Sequence, residues 1–156
     1  MMKAILPAFV LAAAGLAAPP LPAQVMAPVL DHDTAQAITG HCLALAREAG
    51  HEVAVAVYDQ SGELLSFARG QASPAAAEVA RWKGRSAAVF RRSTLETADW
   101  NLPTVPMIAT IEGGVPLFTA DGAPVGGVGV SGAPSQFDAW CGTMGAEHAG
   151  LRIARP

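Results

Sequence analysis

Apolar positions change their period several times along the chain, and each change marks an element. Ala35, Ile38, Cys42, Leu45, Ala46 and Ala49 recur at helical spacing. The pattern predicts a helix over Thr34–Ala49, with Asp33 as its cap and Gly50 as its stop. Val53, Val55 and Val57 then alternate with smaller residues, which reads as a strand rich in β-branched side chains. Asp59-Gln60-Ser61-Gly62 is turn chemistry, and Leu64 to Ala68 is the returning strand of a hairpin.

Ser73-Pro74 is an N-cap followed by proline in the first helical turn, opening a helix predicted to run to about Arg92. Its Ala76, Ala80, Gly84 and Ala87 form a ridge of small residues. Gly84 costs about 1 kcal/mol against alanine in a helix interior, so close approach to a sheet is the reason to keep it. Ser93 with Glu96 fits a capping box for a short next helix, and Pro103 and Pro106 then break the chain. Met107–Ile111, Val115–Thr119 and Val125–Val130 read as three more strands, separated by Gly113-Gly114 and Asp121-Gly122. Ser135 is the expected cap of a last helix, whose Phe137, Trp140, Cys141, Met144 and His148 repeat at i, i+3, i+4, i+7 and i+11. Strands joined by tight turns pair antiparallel. The fold class expected is therefore α/β in the α+β sense, a five-stranded antiparallel sheet flanked by helices.

The first residues change the compartment rather than the fold. Lys3, the apolar run from Ala4 to Ala18, and Leu21-Pro22-Ala23 after Pro19 and Pro20 have the order of a secretory signal peptide. The expected organisation is a signal peptide at 1–23, a linker at 24–32 that contains His32, and one domain at 33–156. The apolar run falls short of the roughly 20 residues that span a bilayer, so no membrane span is expected after cleavage, and the destination is periplasmic or secreted. Ten Lys and Arg against 13 Asp and Glu give a net charge of −3. No charged tail accompanies it, and nothing points to nucleic acid as a partner. Cys42 and Cys141 match no zinc or CxxC motif. An oxidising compartment permits them to pair, if the fold brings two distant helices together.

Several familiar chemistries are excluded. Gly127-x-Gly129-x-x-Gly132 spells a dinucleotide fingerprint, but it lies among antiparallel strands and lacks the βαβ unit and later acidic residue the fingerprint requires. Those glycines instead suit close approach of a helix or ligand to the sheet. Ser131 misses the nucleophile-elbow spacing, the carboxylates are scattered singly, and no metal-ligand spacing occurs.

Val53-Ala54-Val55-Ala56-Val57-Tyr58-Asp59, Gly62 and Leu64-Leu65-Ser66-Phe67-Ala68-Arg69 together resemble the first hairpin of the GlcG/HbpS-like family of haem-degrading and haem-binding proteins. Ala80-Arg81-Trp82-Lys83-Gly84-Arg85-Ser86-Ala87-Ala88 is similar to that family's basic helix, and Gly113-Gly114-Val115-Pro116-Leu117 and Val125 to Gly132 to its glycine-rich strands. Asp138 and Cys141 stand where the family often carries an aspartate and sometimes a cysteine. The resemblance implies a profilin-like fold, a homo-oligomer, and a small-molecule tetrapyrrole ligand: haem, or a corrinoid as in some relatives. Arg69-Gly70-Gln71-Ala72 departs from the family's Arg-Met-Asp-Gly, and Ser86 stands in place of its threonine.

Five of the ten Lys and Arg lie between Arg81 and Arg92, with no acid from Trp82 to Leu95. Arg81, Arg85 and Arg92 are expected on one helix face, where guanidinium forks suit the two propionates of a haem. The same stripe also reads as a subunit interface, or as a solvated face with Glu78 pairing Arg81. The cofactor-binding candidates are Arg81, Lys83, Arg85, Ser86, His41 and His51, in a pocket expected between the sheet and the basic helix. Haem iron takes an axial ligand, most often histidine. His41, bordering the apolar stripe of the first helix, is the first candidate; His51 stands at that helix's hand-over to the strand and His148 on the last helix. Ser86 would support a weak or water-mediated contact, and Tyr58, the only tyrosine, reads as core. A binding protein that sequesters or hands over haem is the leading function. An enzyme degrading haem or acting on another small molecule, and a ligand-sensing or interaction module, are its alternatives, because fold alone does not choose among them.

Overall fold

The computed structural model describes residues 26–155; the expected signal peptide lies outside them. The elements are α1 (His32–Glu48), β1 (Ala54–Asp59), β2 (Leu64–Ala68), α2 (Pro74–Phe90), α3 (Thr94–Asp99), β3 (Gly114–Phe118), β4 (Pro124–Ser131) and α4 (Ser135–His148). One antiparallel sheet runs in the order β2-β1-β4-β3. None of the described helices is long and apolar enough to cross a membrane.

The sheet has two differently built faces, and β1 shows why. Val53, just ahead of β1, and Val55 and Val57 within it point with Val115, Leu117, Val128 and Val130 to the face covered by α1 and α4, where Ile38, Cys42, Ala46, Cys141 and Ala146 complete the main core. Ala54, Ala56 and Tyr58 point the opposite way, toward Ala77, Ala80 and Ala88 of α2. Small residues on both sides let α2 lie directly on the sheet. A Cβ added at Gly129 would stand 2.1 Å from the Ala80 carbonyl oxygen and 2.2 Å from the Gly84 nitrogen. Gly127 and Gly84 are similarly closed, against Ala88 N at 2.4 Å and Ala56 O at 2.7 Å. Backbone therefore fills the space directly beneath Gly84, which confines any pocket between sheet and basic helix to the flank of α2. Gly129→Ala is expected to destabilise the fold by about 3 kcal/mol through overpacking. Urea denaturation measures this, and a midpoint equal to the parent's would contradict the contact.

The same sheet corrects the strand count from five to four. Met107–Ile111 forms no strand: Met107 has φ +68° and the Ile108 amide bonds back to Val105 O. Side chains satisfy the backbone that a neighbouring strand would otherwise pair. Ser86 Oγ accepts from Ala109 N at 2.8 Å, and Thr97 Oγ1 donates to Ala109 O at 2.6 Å.

Several helix ends also move. Asp31, not Asp33, caps α1, accepting from Thr34 N at 2.7 Å, so His32 lies in the helix rather than a linker. The α2 start at Ser73-Pro74 and the Ser93–Glu96 capping box stand as expected. However, Arg91 adopts a left-handed conformation (φ +56°) and ends α2, so Arg92 does not continue the Arg81–Arg85 face. Ser135 is the first residue of α4 and gives no side-chain cap; Pro134 precedes it. Cys42 and Cys141 form a disulfide with Cα atoms 5.1 Å apart, tying α1 to α4 across the main core.

Candidate functional site

The basic helix distributes its charges in three directions. Lys83 turns inward and is 1% exposed. Its Nζ donates to Asp138 Oδ2 at 3.1 Å and to Val130 O at 3.0 Å, bridging α2 to the first turn of α4. Asp138 also accepts from Ala133 N through Oδ1. Burial pushes the Asp138 carboxyl above its ordinary range, and the Lys83 charge and these hydrogen bonds pull it back. Ser86 is fully buried and committed to Ala109. Arg91 and Arg92 lie past the helix, lining another recess with Glu96, Phe118 and Arg155.

Arg81 and Arg85 lie one turn apart on the flank of α2 beside the β1–β2 hairpin. With Tyr58, Glu78, Trp82 and Met107 they line an open groove of about 280 Å³. Arg81 pairs with Glu78, and its guanidinium lies 4.0 Å above the centre of the Phe67 ring, which orients it by cation–π attraction. Arg85 enters no ion pair among the described residues; its stem runs beside Gly62 of the β1–β2 turn. Tyr58, near the end of β1, contributes the groove's inner surface. It is 7% exposed, and burial pushes its phenol above the ordinary range while Arg81 and Arg85 pull it down.

The histidines are elsewhere. His41 on α1 stacks on His148 of α4, with ring centres 4.1 Å apart and 4° between planes. This pair belongs to the α1–α4 layer, on the opposite side of the sheet from the groove. Within one chain His41 therefore cannot serve a ligand that Arg81 and Arg85 hold. His51 meets the edge of Phe137 at 4.5 Å and lines a larger cleft of about 390 Å³ with Leu43, Ala46, Arg47, Glu52 and Gly70. That cleft is roomier but carries one arginine, whose Nε is committed to Leu43 O at 3.3 Å, beside the carboxylate of Glu52. For a ligand with two carboxylates, the groove with two guanidiniums and a single, already paired acid is the better match. Among the described residues no group of three or more His, Cys, Asp or Glu side chains comes together.

The structure thus unites Arg81 and Arg85 but separates Lys83, Ser86, His41 and His51 from them. It also adds Tyr58, Trp82 and Met107. The signal for Tyr58 was the strand alternation: with Val53, Val55 and Val57 on one face, Ala54, Ala56 and Tyr58 share the face toward the basic helix.

A small α+β domain with a glycine-seated helix on one sheet face and an arginine-rimmed groove outside it is the class these features define. The chain belongs to the haem degrading protein HbpS-like family, whose pattern matches residues 30–147. Among solved structures it is similar to HbpS, at 32% identity and a TM-score of 0.75 over 84% of this chain and 97% of that one. A double-mutant form of HbpS from Streptomyces reticuli matches at 32% identity and a TM-score of 0.74, covering 86% of this chain and 97% of that one. The fold is shared with the PduOC:heme complex, at 21% identity and a TM-score of 0.76 over 82% of this chain and all of that one. No curated protein matches the chain.

Proposed function

We propose that this protein is an exported haem-binding protein that sequesters haem or hands it on. The observation that carries this reading is the groove in which Arg81 and Arg85 flank Tyr58 where α2 meets the β1–β2 hairpin. It fits the group by the chemistry of its lining. Two guanidiniums suit the two propionates, Trp82 and Met107 offer flat and polarizable surface for a macrocycle, and Tyr58 and Met107 are donors an iron accepts. When bound, haem supplies iron and porphyrin chemistry; the chain supplies binding, orientation and charge.

Size adds a condition. Pockets that enclose a ligand usually hold about 300–1,000 Å³, whereas this groove has about 280 Å³ and is open. A tetrapyrrole seated there keeps much of its face outside the groove, and a homo-oligomer, in which a second copy covers that face, completes the site. Export is supported by the leader-like first residues and by a fully buried disulfide, a bond suited to oxidising surroundings. The partner is the tetrapyrrole itself; neither nucleic acid nor a membrane belongs to this reading.

Titration of the mature protein with hemin, followed by absorbance, tests it. A saturable, red-shifted Soret band is expected. Replacing Arg81 and Arg85 together by alanine is expected to weaken binding about 10- to 100-fold, since hydrogen bonds to charged groups contribute about 1.5–3 kcal/mol. Equal affinity in the double variant would remove the arginines from the site. A spectrum resembling hemin in buffer would remove haem from the function. Exposing the complex to reductant and oxygen separates the two roles: a store keeps its Soret band, whereas a degrading enzyme bleaches it and releases iron.

A further inference from the structure

We infer that Tyr58 is the axial ligand of the iron, through its hydroxyl oxygen, when haem occupies the groove between Arg81 and Arg85; this rests on the haem-binding reading. Within one chain the histidines make the case by their positions. His32 Nδ1 lies 3.0 Å from Leu65 O, His41 and His148 stack on the far side of the sheet, and His51 faces a separate cleft. Three groove residues carry atoms that iron accepts: Tyr58, Glu78 and Met107. Glu78 is spent on Arg81. Met107 sits on the irregular crossing segment with φ +68°, whereas Tyr58 is built into the sheet, paired with Leu64 on one side and Gly127 on the other.

The hydroxyl itself is available. Tyr58 makes no side-chain hydrogen bond to the described residues, yet no buried side-chain nitrogen or oxygen among them lacks a partner. Its oxygen is therefore not sealed from solvent, and Tyr58 is one of the residues that line the groove. The ring below is fixed by Ala56, Ala88 and Phe67, and a Cβ at Gly84 would meet its Cδ2 at 3.1 Å. A rigid ring with one unspent oxygen, in a groove it shares with two arginines, is a ligand prepared before the metal arrives.

The step is balanced. As the Tyr58 oxygen bonds ferric iron, its proton leaves to solvent and the iron gives up a water or hydroxide, with no change of oxidation state.

Tyr58→Phe removes this oxygen and leaves the ring packing. The single tyrosine of the chain makes the readout unambiguous: in the ferric complex, phenolate vibrations enhanced in resonance Raman can come from Tyr58 alone. The parent protein is expected to show them. Tyr58→Phe is expected to stay folded by circular dichroism, lose the phenolate bands, and bind hemin at least tenfold more weakly. If the parent binds hemin without phenolate bands, or Tyr58→Phe gives the parent's spectrum, the ligand assignment falls and the haem reading stands. If the parent does not bind hemin saturably, both fall together.

Discussion

Lys83→Met is expected to cost about 3–5 kcal/mol of stability, the usual cost of breaking a buried ion pair by removing one partner. Lys83 and Asp138 are each 1% exposed, so the remaining carboxylate has no water to turn to. The loss comes less from the attraction removed than from the charge left behind. The Lys83 aliphatic stem contributes packing that methionine retains, which confines the effect to the ammonium. Acidity separates this cause from a packing defect. Burial holds the Asp138 value above 3.8 in the folded state. The stability this raised value contributes is fully present below 3.8 and is lost as pH rises through the folded value. Removing Lys83 takes away a charge that lowers that value, so the variant's deficit should shrink in mild acid, where Asp138 becomes neutral. Urea denaturation at neutral and mildly acidic pH measures both, and a deficit below about 1 kcal/mol would sink the argument.

Loss of the Cys42–Cys141 bond is the second large effect. The cysteines are 99 residues apart in sequence, so the bond closes most of the domain into one loop. A loop of that length constrains the unfolded chain by about 4–5 kcal/mol on the chain-entropy account, and removing such a bond from a small domain costs about 2–5 kcal/mol. A paired Cys42→Ala and Cys141→Ala variant is expected to lose about 4 kcal/mol. Both cysteines are fully buried, so chemical reduction of the folded protein should be slow and should accelerate at the denaturant concentration where α1 and α4 separate. Comparison of urea midpoints for the parent and the paired variant decides it. Coincident midpoints would show that the cross-link leaves stability unchanged.

What the sequence made legible was local. The Ser73-Pro74 start of α2, the Ser93–Glu96 box and the β1–β2 hairpin depend on neighbouring residues, and each stands where its pattern lies. The small-residue ridge around Gly84 was legible too, because a glycine inside a helix needs a reason. The Met107–Ile111 segment was not. Its apolar run resembles a strand, but Ser86 and Thr97, 23 and 12 residues away from Ala109, take its backbone hydrogen bonds. Charge direction was equally hidden. Lys83 lies between Arg81 and Arg85 in sequence, yet Asp138 and the Val130 carbonyl, 55 and 47 residues away, turn it inward. The disulfide was chemically permitted by the sequence and became definite only when α1 and α4 met. Of the candidate site, the arginine pair was legible as a stripe of like charge; its separation from every histidine required the sheet between them.

The seating of α2 on bare backbone also bears on how quickly the groove can fill. Where a helix rests on side chains, rotamer changes beneath it let it tilt or slide as a ligand arrives. Gly84, Gly127 and Gly129 leave nothing there to reshuffle. The backbones that carry Arg81, Arg85 and Tyr58 are therefore expected to keep their spacing as the groove fills. Loading then requires little reorganisation of the scaffold, so encounter and side-chain settling, rather than a slow opening motion, set its pace.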